Sequence, residues 1–281
     1  MEKVVVVILN YKVKDLTIKC VESVKESTYQ DFTIIVVDNN SGEEIGDSLE
    51  KEIIFIQNHQ NLGYTGGNNI GIKKALEIGA DFVFVLNPDT LVDKKCLEIL
   101  VQGMKKYQAA ISGPKIYFAG SKKIWYAGGI FDRLNVIGSH RGVDEQDQGQ
   151  YDQDQETDYI TGAAMMVKRE VFERIGLFDE DYFLYYEDSE LCFRAKRAGF
   201  KIMYLPKAVV YHANAKSTGL GSALQDYFIT RNRMLLASKF LSFRTRFALF
   251  REALKNLGNS ARRLALFDFL IGNFGKGSFR L

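Results

Sequence analysis

The sequence predicts an α/β fold with a mostly parallel central sheet, helices on both faces and a C-terminal helical segment. Three observations carry this. Val4 to Leu9, Phe32 to Val37, Ile53 to Ile56 and Phe82 to Leu86 are short, nearly unbroken β-branched and aromatic runs. They lack the polar alternation of a half-exposed strand, so they read as strands buried on both faces. Helical patterns separate most of them, and repeated β-α units of this kind build parallel sheets. Finally, the charge is divided. Net charge is +2, but residues 222–281 carry 11 Lys/Arg against 3 Asp/Glu, a local +8 that leaves −6 on the rest.

The 281 residues fit one large domain with an appendage, and the 46% hydrophobic content suffices for a core. The expected division is residues 1–219, with halves 1–110 and 111–219, followed by residues 220–281. Cys20, Cys96 and Cys192 match no metal spacing and fall in helical patterns, as buried thiols of a reducing compartment do. The opening MEKVVVVILN reads as a strand rather than a signal peptide, and no stretch reaches membrane-spanning length.

In chain order, Asp15 is placed to cap a helix over about residues 16–27, buried through Leu16, Cys20, Val21 and Val24. Gly63 to Asn69 is expected as a glycine loop whose amides open a helix running to about Ile78. A dinucleotide fingerprint is excluded, because the first strand ends in Leu9-Asn10-Tyr11-Lys12 without glycine. A helix follows Asn87-Pro88-Asp89-Thr90. Gly113-Pro114 reads as a turn before short strands at Lys115–Phe118 and Ile124–Tyr126. Residues 144–158, rich in Asp, Gln and Gly, read as a mobile loop. Tyr159 to Val167 is a strand whose small residues, Thr161 to Ala164, allow close approach. Strands at Phe200–Leu205 and Ala208–Tyr211 flank Pro206. Beyond them lie a helix from Gln225 to about Phe240 and one basic amphipathic helix from Arg244 to about Phe269.

Right-handed crossovers put the C-terminal ends of parallel strands on one edge, where open α/β sheets bind ligands. Those ends carry Asn10 and Tyr11, Asp38 to Ser41, Asn58 and Asn61, and Asn87 and Asp89. Singly each is a turn former; together they read as a binding edge. His212 closes the last strand and is a metal-ligand candidate. Tyr182 to Cys192, YFLYYEDSELC, sets Glu187 and Asp188 at a helix entrance walled by aromatics, where carboxylates are favoured by the helix dipole. Trp125 is a candidate sugar-stacking residue, with core packing as its alternative.

These blocks, in order, resemble the family 2 glycosyltransferases, and among them the bacterial rhamnosyltransferases. The matching residues are Val7-Ile8-Leu9-Asn10-Tyr11, Val37 to Ser41, Asn61 to Asn69, Leu86 to Thr90, Tyr159 to Ala163, Tyr185 to Asp188 with Leu191 to Arg194, Tyr211-His212, and Tyr227 with Arg231-Asn232. The resemblance implies a GT-A-type three-layer sandwich, with residues 1–110 as the donor-binding half and 111–219 as the acceptor half. It implies inverting sugar transfer from a nucleotide-sugar, dTDP-rhamnose or a UDP-sugar, to a hydroxyl of a glycan or lipid-linked glycan. Around the nucleotide it places Leu9, Asn10, Tyr11, Asp38, Asn40, Asn61, Gly66, Gly67, Asn68 and Asn87. Asp38 would contact the base, and Arg231 would assist from a lid. Asp89 matches the surviving acid of the family's metal motif, while Asn87 and Pro88 depart from it. His212 would be the second ligand to Mg²⁺ or Mn²⁺, suiting Mn²⁺ better. Asp188 matches the general base, with Glu187 as its supporting neighbour. Trp125, Thr161, Gly162, Tyr185 and Tyr186 would face the acceptor.

The basic tail is expected either to meet an anionic membrane surface or to pack on the sheet domain with its basic face in water, and nucleic acid is disfavoured because the tail's aromatics fall at helical spacing. The expected location is cytoplasmic, peripheral on the inner face of the cell membrane. The sequence names no oligomeric state. The competing reading is a degenerate nucleotide- or sugar-binding module, and the presence of Asp188, Asp89 and Asp38 together favours the enzyme. A nucleotidyltransferase would need a basic glycine-rich first loop, which Leu9-Asn10-Tyr11-Lys12 is not.

Overall fold

The computed structural model describes residues 2–213 and 221–280. The expected boundary at 219/220 lies outside the described residues. Strands β1 (Val4–Asn10), β2 (Phe32–Asp38), β3 (Ile54–Gln57) and β4 (Phe82–Leu86) form the predicted parallel set, in the spatial order β4-β1-β2-β3. Every residue of β1 and β4 is buried, as the unbroken apolar runs require. Helices α1 (Lys14–Lys25) and α2 (Gly63–Glu77) cross in opposite directions along this order, so right-handed connections put them on opposite faces.

The second half enlarges the sheet. A short β5 (Thr90–Val92) and α3 (Cys96–Tyr107) lead to β6 (Ile111–Phe118), β7 (Ile124–Tyr126) and the separate hairpin β8 (Gly129–Asp132) and β9 (Ile137–His140). After β10 (Gln155–Glu156), β11 (Ala164–Lys168) inserts antiparallel between β4 and β6. Helices α4 (Arg169–Ile175) and α5 (Glu187–Arg197) precede β12 (Ile202–His212), which runs parallel to β6. Thus His212 and the turn before β11 share the edge that carries Asn10 and Asp38.

Several local expectations give way to tertiary structure. Gly113-Pro114 is not a turn but lies within β6. Pro114 is tolerated because β11 pairs with β6 only at Ile111 and Ser112, so no neighbouring carbonyl needs its missing N–H there. The strands around Pro206 are one strand, whose register shifts between Leu205 and Val209. The small-residue strand begins only at Ala164. Asp15 sits in the first turn of α1, where Val13 holds the cap position. Residues 144–158 are tied down: the ammonium of Lys115, 1% exposed, bridges Asp147 at 2.9 Å and Asp152, and Tyr117 donates to Asp147. The sequence hides this because Lys115 is some 30 residues from its partners.

The basic tail is three helices: α6 (Ala223–Phe240), α7 (Phe243–Lys255) and α8 (Ser260–Ile271). Asn259 breaks the expected long helix by capping α8, accepting from the N–H groups of Ala261 and Arg262. Met234, Leu235, Leu236 and Ala237 of α6 join the core of the sheet domain. Phe243, Phe247, Phe267, Leu270 and Ile271 of α7 and α8 stay exposed. Among the described residues no helix is long and apolar enough to cross a membrane. The three cysteines are free and buried, as expected.

Candidate active site

The edge is built first around Asp38, fully buried at the end of β2. Its carboxylate accepts from Asn10 Nδ2 at 2.7 Å, Gln57 Nε2 at 2.7 Å and the Ser41 N–H at 3.0 Å. Burial pushes its proton affinity up, but the donors of Ser41, Gln57 and Asn10 outweigh that and hold it below the usual carboxylate range. Asn10, also fully buried, is fixed by Thr17, whose hydroxyl donates to Asn10 Oδ1 at 2.7 Å. Gln57 was not singled out from sequence, although the strand-end rule reaches it as the last residue of β3. Tyr11 is 36% exposed above this cluster, and Asn40 is exposed with a left-handed φ of 60°. Asn61 accepts from Asn39 Nδ2 at 2.9 Å and from the Gly63 N–H at 2.8 Å, joining the end of β2 to the start of α2.

The glycine loop is not a loop. Gly63 to Asn69 is already α2, and the N–H groups of Tyr64 and Thr65 donate to the carbonyl of Phe183 at 2.7 and 3.2 Å. The helix start is thereby capped from within the chain. A Cβ on Gly67 would stand 2.5 Å from the Leu9 side chain, and one on Gly66 2.8 Å from Leu62. Gly67 lets α2 close on β1, Gly66 makes room for Leu62 at the helix start, and Asn68 is buried with its amide on the Tyr64 carbonyl at 2.9 Å.

Asp89 and His212 meet where β5 pairs with β12. His212 Nε2 lies 3.1 Å from Asp89 Oδ1, and the imidazole is 1% exposed. Neither ring nitrogen has a hydrogen-bonding partner among the described residues. An orphaned buried imidazole against a carboxylate fits a divalent cation. Among the described residues no cluster of three or more His, Cys, Asp or Glu side chains accompanies them. The protein would thus supply two ligands and leave the rest to a bound ligand or water. Trp125 is half-buried against this pair, its ring 4.5 Å from His212 and 4.4 Å from His140. Asn87 ties β4 to the turn before β11, its N–H donating to Ala163 O at 2.9 Å.

Glu187 and Asp188 lie inside the first turn of α5, not before it. Asp188 Oδ2 accepts from the Gly162 N–H at 3.0 Å, and Oδ1 from the Ser189 N–H at 2.6 Å. Burial raises the proton affinity of Asp188 despite these donors. Glu187, 6% exposed and with Oε2 unpartnered among the described residues, is raised to about 8 by burial and then by the charge of Asp188. Thr161 is buried one residue before Gly162, in the same turn. Tyr64, not singled out for a role, donates to Gly162 O at 2.6 Å. Its hydroxyl is pushed well above its ordinary value by burial, then by the charges of Glu187, Asp188 and Asp89. The base candidates and the metal-ligand candidate therefore converge on one tyrosine.

Three aromatics before these acids have left-handed backbones: Phe183 (φ 61°), Tyr185 (φ 68°) and Tyr186 (φ 72°). Such conformations cost on the order of 1–3 kcal/mol each for non-glycine residues and persist only where surroundings enforce them. Tyr186 donates to Val136 O at 2.8 Å, tying the segment to the loop between β8 and β9. From α6, Asn232 and Arg231 grip the segment. Arg231 is fully buried, with donors on Asn232 Oδ1, the Tyr227 hydroxyl and the carbonyls of Asp181 and Tyr182. In this arrangement its guanidinium is committed to the backbone of this segment. Asn232 was matched in sequence beside Arg231 but given no role; the signal for one was an amide inside a helix face otherwise apolar through Phe228 and Leu235.

Known proteins resemble this chain in sequence and in fold. The Haloferax volcanii protein named low-salt glycan biosynthesis hexosyltransferase Agl10 is 29% identical over 244 residues, covering 84% of this chain and 76% of its own. The Shigella flexneri protein named dTDP-rhamnosyl transferase RfbF is 26% identical over 251 residues, covering 84% and 79%. In fold, the chain is similar to GalNAc-T7, solved with UDP, GalNAc and Mn²⁺, with TM-score 0.66 and 18% identity. That likeness covers 83% of this chain and 51% of the other, and it fits the expected GT-A architecture. The profile described as "Glycosyl transferase family 2" matches residues 4–176, more than half the sequence. The chain belongs to glycosyl transferase family 2 and is a glycosyltransferase related to the rhamnosyltransferases.

Proposed function

We propose that this glycosyltransferase moves a sugar from a nucleotide-sugar to a hydroxyl of a glycan or lipid-linked glycan with inversion, using Asp188 as general base. The observation that carries the reading is the environment of Asp188. Its carboxylate is oriented by the Gly162 and Ser189 N–H groups, and burial raises its proton affinity. A base must take a proton from the acceptor hydroxyl as the sugar bond forms, and a raised affinity favours that transfer near neutral pH. Asp38, Asn10 and Tyr11 are proposed to receive the base and ribose of the donor at the ends of β1 and β2. Trp125, Thr161, Gly162, Tyr185 and Tyr186 are proposed to border the acceptor.

Asp89 and His212 would hold a divalent cation, Mn²⁺ in preference to Mg²⁺ because of the imidazole. When bound, it supplies charge stabilisation for the departing nucleoside diphosphate. The names of the relatives favour dTDP-rhamnose or another hexose donor. The exposed apolar side chains of α7 and α8, with Arg244, Arg251 and Arg263 beside them, support a peripheral seat on an anionic membrane face. Flotation with anionic vesicles that persists after removal of residues 242–281 would dismiss that seat.

The test of the reaction is Asp188→Asn, assayed with a panel of dTDP- and UDP-sugars. Transfer should fall by ~10²–10⁴-fold, the usual worth of a positioned base, with nucleotide affinity retained. Near-normal transfer by a folded Asp188→Asn would remove Asp188 from this role.

A further inference from the structure

We infer that Asn232 is a positioning residue that holds the 182–186 backbone in its left-handed course and so aims Asp188. This rests on Asp188 being the base. The amide Nδ2 of Asn232 lies 2.8 Å from each of three carbonyls, those of Tyr182, Leu184 and Tyr185. One NH₂ group has two protons, so three acceptors share them, and each is a carbonyl of the strained run. The amide is itself set by Arg231 Nε, which donates to Asn232 Oδ1 at 3.0 Å. Arg231 in turn reaches the Tyr227 hydroxyl, which donates to the buried Asp268. The Gly275 N–H adds a donor to Asp181 O at 2.8 Å.

The consequence reaches both ends of the segment. Its Phe183 carbonyl caps α2, and its Tyr186 carbonyl accepts from the Glu190 N–H at 2.8 Å in the first turn of α5. Asp188 follows two residues after Tyr186. A relaxed 183–186 backbone would turn the first helical residues of α5 and draw Asp188 away from the Gly162 N–H. The C-terminal segment is thus a buttress of the catalytic turn rather than a mobile lid.

The experiment compares Asn232→Ala and Asn232→Leu in the full chain. Leu keeps the volume and removes the donors. Both should lower kcat by about 100-fold, the scale of an ångström misplacement, while the Kd of UDP and of dTDP in the presence of Mn²⁺ moves less than twofold. Hydrogen exchange should rise at 183–188. A Leu variant with wild-type kcat would overturn the inference, since packing alone would then suffice. Asp188→Asn separates the two readings: if it is inactive while both Asn232 variants turn over normally, only the positioning role falls. If the variants melt below the assay temperature, wild-type hydrogen exchange decides. Protection at 183–188 should match that of the middle of α6, and fast exchange there with α6 protected would refute the inference.

Discussion

Gly162 donates its N–H to Asp188 Oδ2 at 3.0 Å and accepts from the Tyr64 hydroxyl at 2.6 Å through its carbonyl. One peptide-flanked residue therefore joins the carboxylate on α5 to the tyrosine on α2. A Cβ at this position would stand 2.7 Å from the Tyr64 hydroxyl, closer than side chains tolerate. Gly162→Ala should displace that hydroxyl and the turn with it, lowering transfer by about 10²-fold. Little stability should be lost, because Tyr64 is only half-buried. A Tyr64→Phe variant distinguishes hydroxyl from volume: if Gly162→Ala acts through Tyr64, the pair should be non-additive in a double-mutant cycle. Strict additivity would place the effect elsewhere.

The pairing of His212 with Asp89 gives a second expectation. Chelation with EDTA should abolish transfer, and Mn²⁺ should restore it. His212→Ala should raise the Mn²⁺ concentration for half-maximal activity by about 10–100-fold, as losses in metal-site support commonly do. Mn²⁺ binding followed by electron paramagnetic resonance in the presence of UDP reads the site without turnover. Full activity in chelator would take Asp89 and His212 out of this role.

Lys115 supplies a third. Its buried ammonium is the anchor of residues 144–158, paired with Asp147 at 2.9 Å and with the 63%-exposed Asp152. Breaking a buried pair costs ~3–5 kcal/mol, but Asp152 rehydrates readily, so Lys115→Met should cost less, about 1–3 kcal/mol. Each kcal/mol is worth roughly 2–4 °C in a chain of this size class. Protease cleavage within 144–158 should become faster than in the wild type. An unchanged cleavage rate would show that Tyr117 and the neighbouring strands hold the segment alone.

What the sequence made legible follows from the range of the forces involved. β1, β2 and β4 were readable because their unbroken apolar runs are buried strands; β3 shares the pattern but is only half-buried, being the edge strand, and the polar residues at all four ends share an edge by topology. Asp38 and Asp89 were found this way, His212 as the end of a later strand, and Asp188 as an acid at a helix entrance that matches the family's base. Features set by distant partners were not. Pro114 reads as a turn former unless one knows that β11 stops at Ser112. Gly66 and Gly67 read as a ligand loop unless Leu62 and Leu9 are known to lie against them. Arg231 reads as a lid residue reaching for the nucleotide unless its partners Asp181 and Tyr182, about 50 residues earlier, are known. The left-handed run at Phe183, Tyr185 and Tyr186 contradicts local preference outright, since nothing in three aromatics favours it. Departures of this sort are expected where local propensity yields to function.

Glu187 carries the last expectation. Its folded-state proton affinity lies above the ordinary carboxylate value of 4.5, reaching about 8 through burial and then the charge of Asp188. Between those values the folded chain holds more protons than the unfolded chain, so this group's contribution to stability is fully present below 4.5. It is lost as pH rises toward 8. Glu187→Gln keeps the shape and removes the ionisation. Its Tm should therefore fall less between pH 5 and pH 8.5 than that of the wild type, and the two curves should diverge on the alkaline side. The catalytic profile should move as well. Asp188 gives up its proton first, while Glu187 is still neutral, so removing Glu187 should leave the acid limb of the rate profile in place and change its alkaline side. Parallel melting curves and an unmoved alkaline side of the rate profile would show that Glu187 does not titrate against Asp188. The acid of this pair that gives up its proton in the working range would then be Asp188 alone.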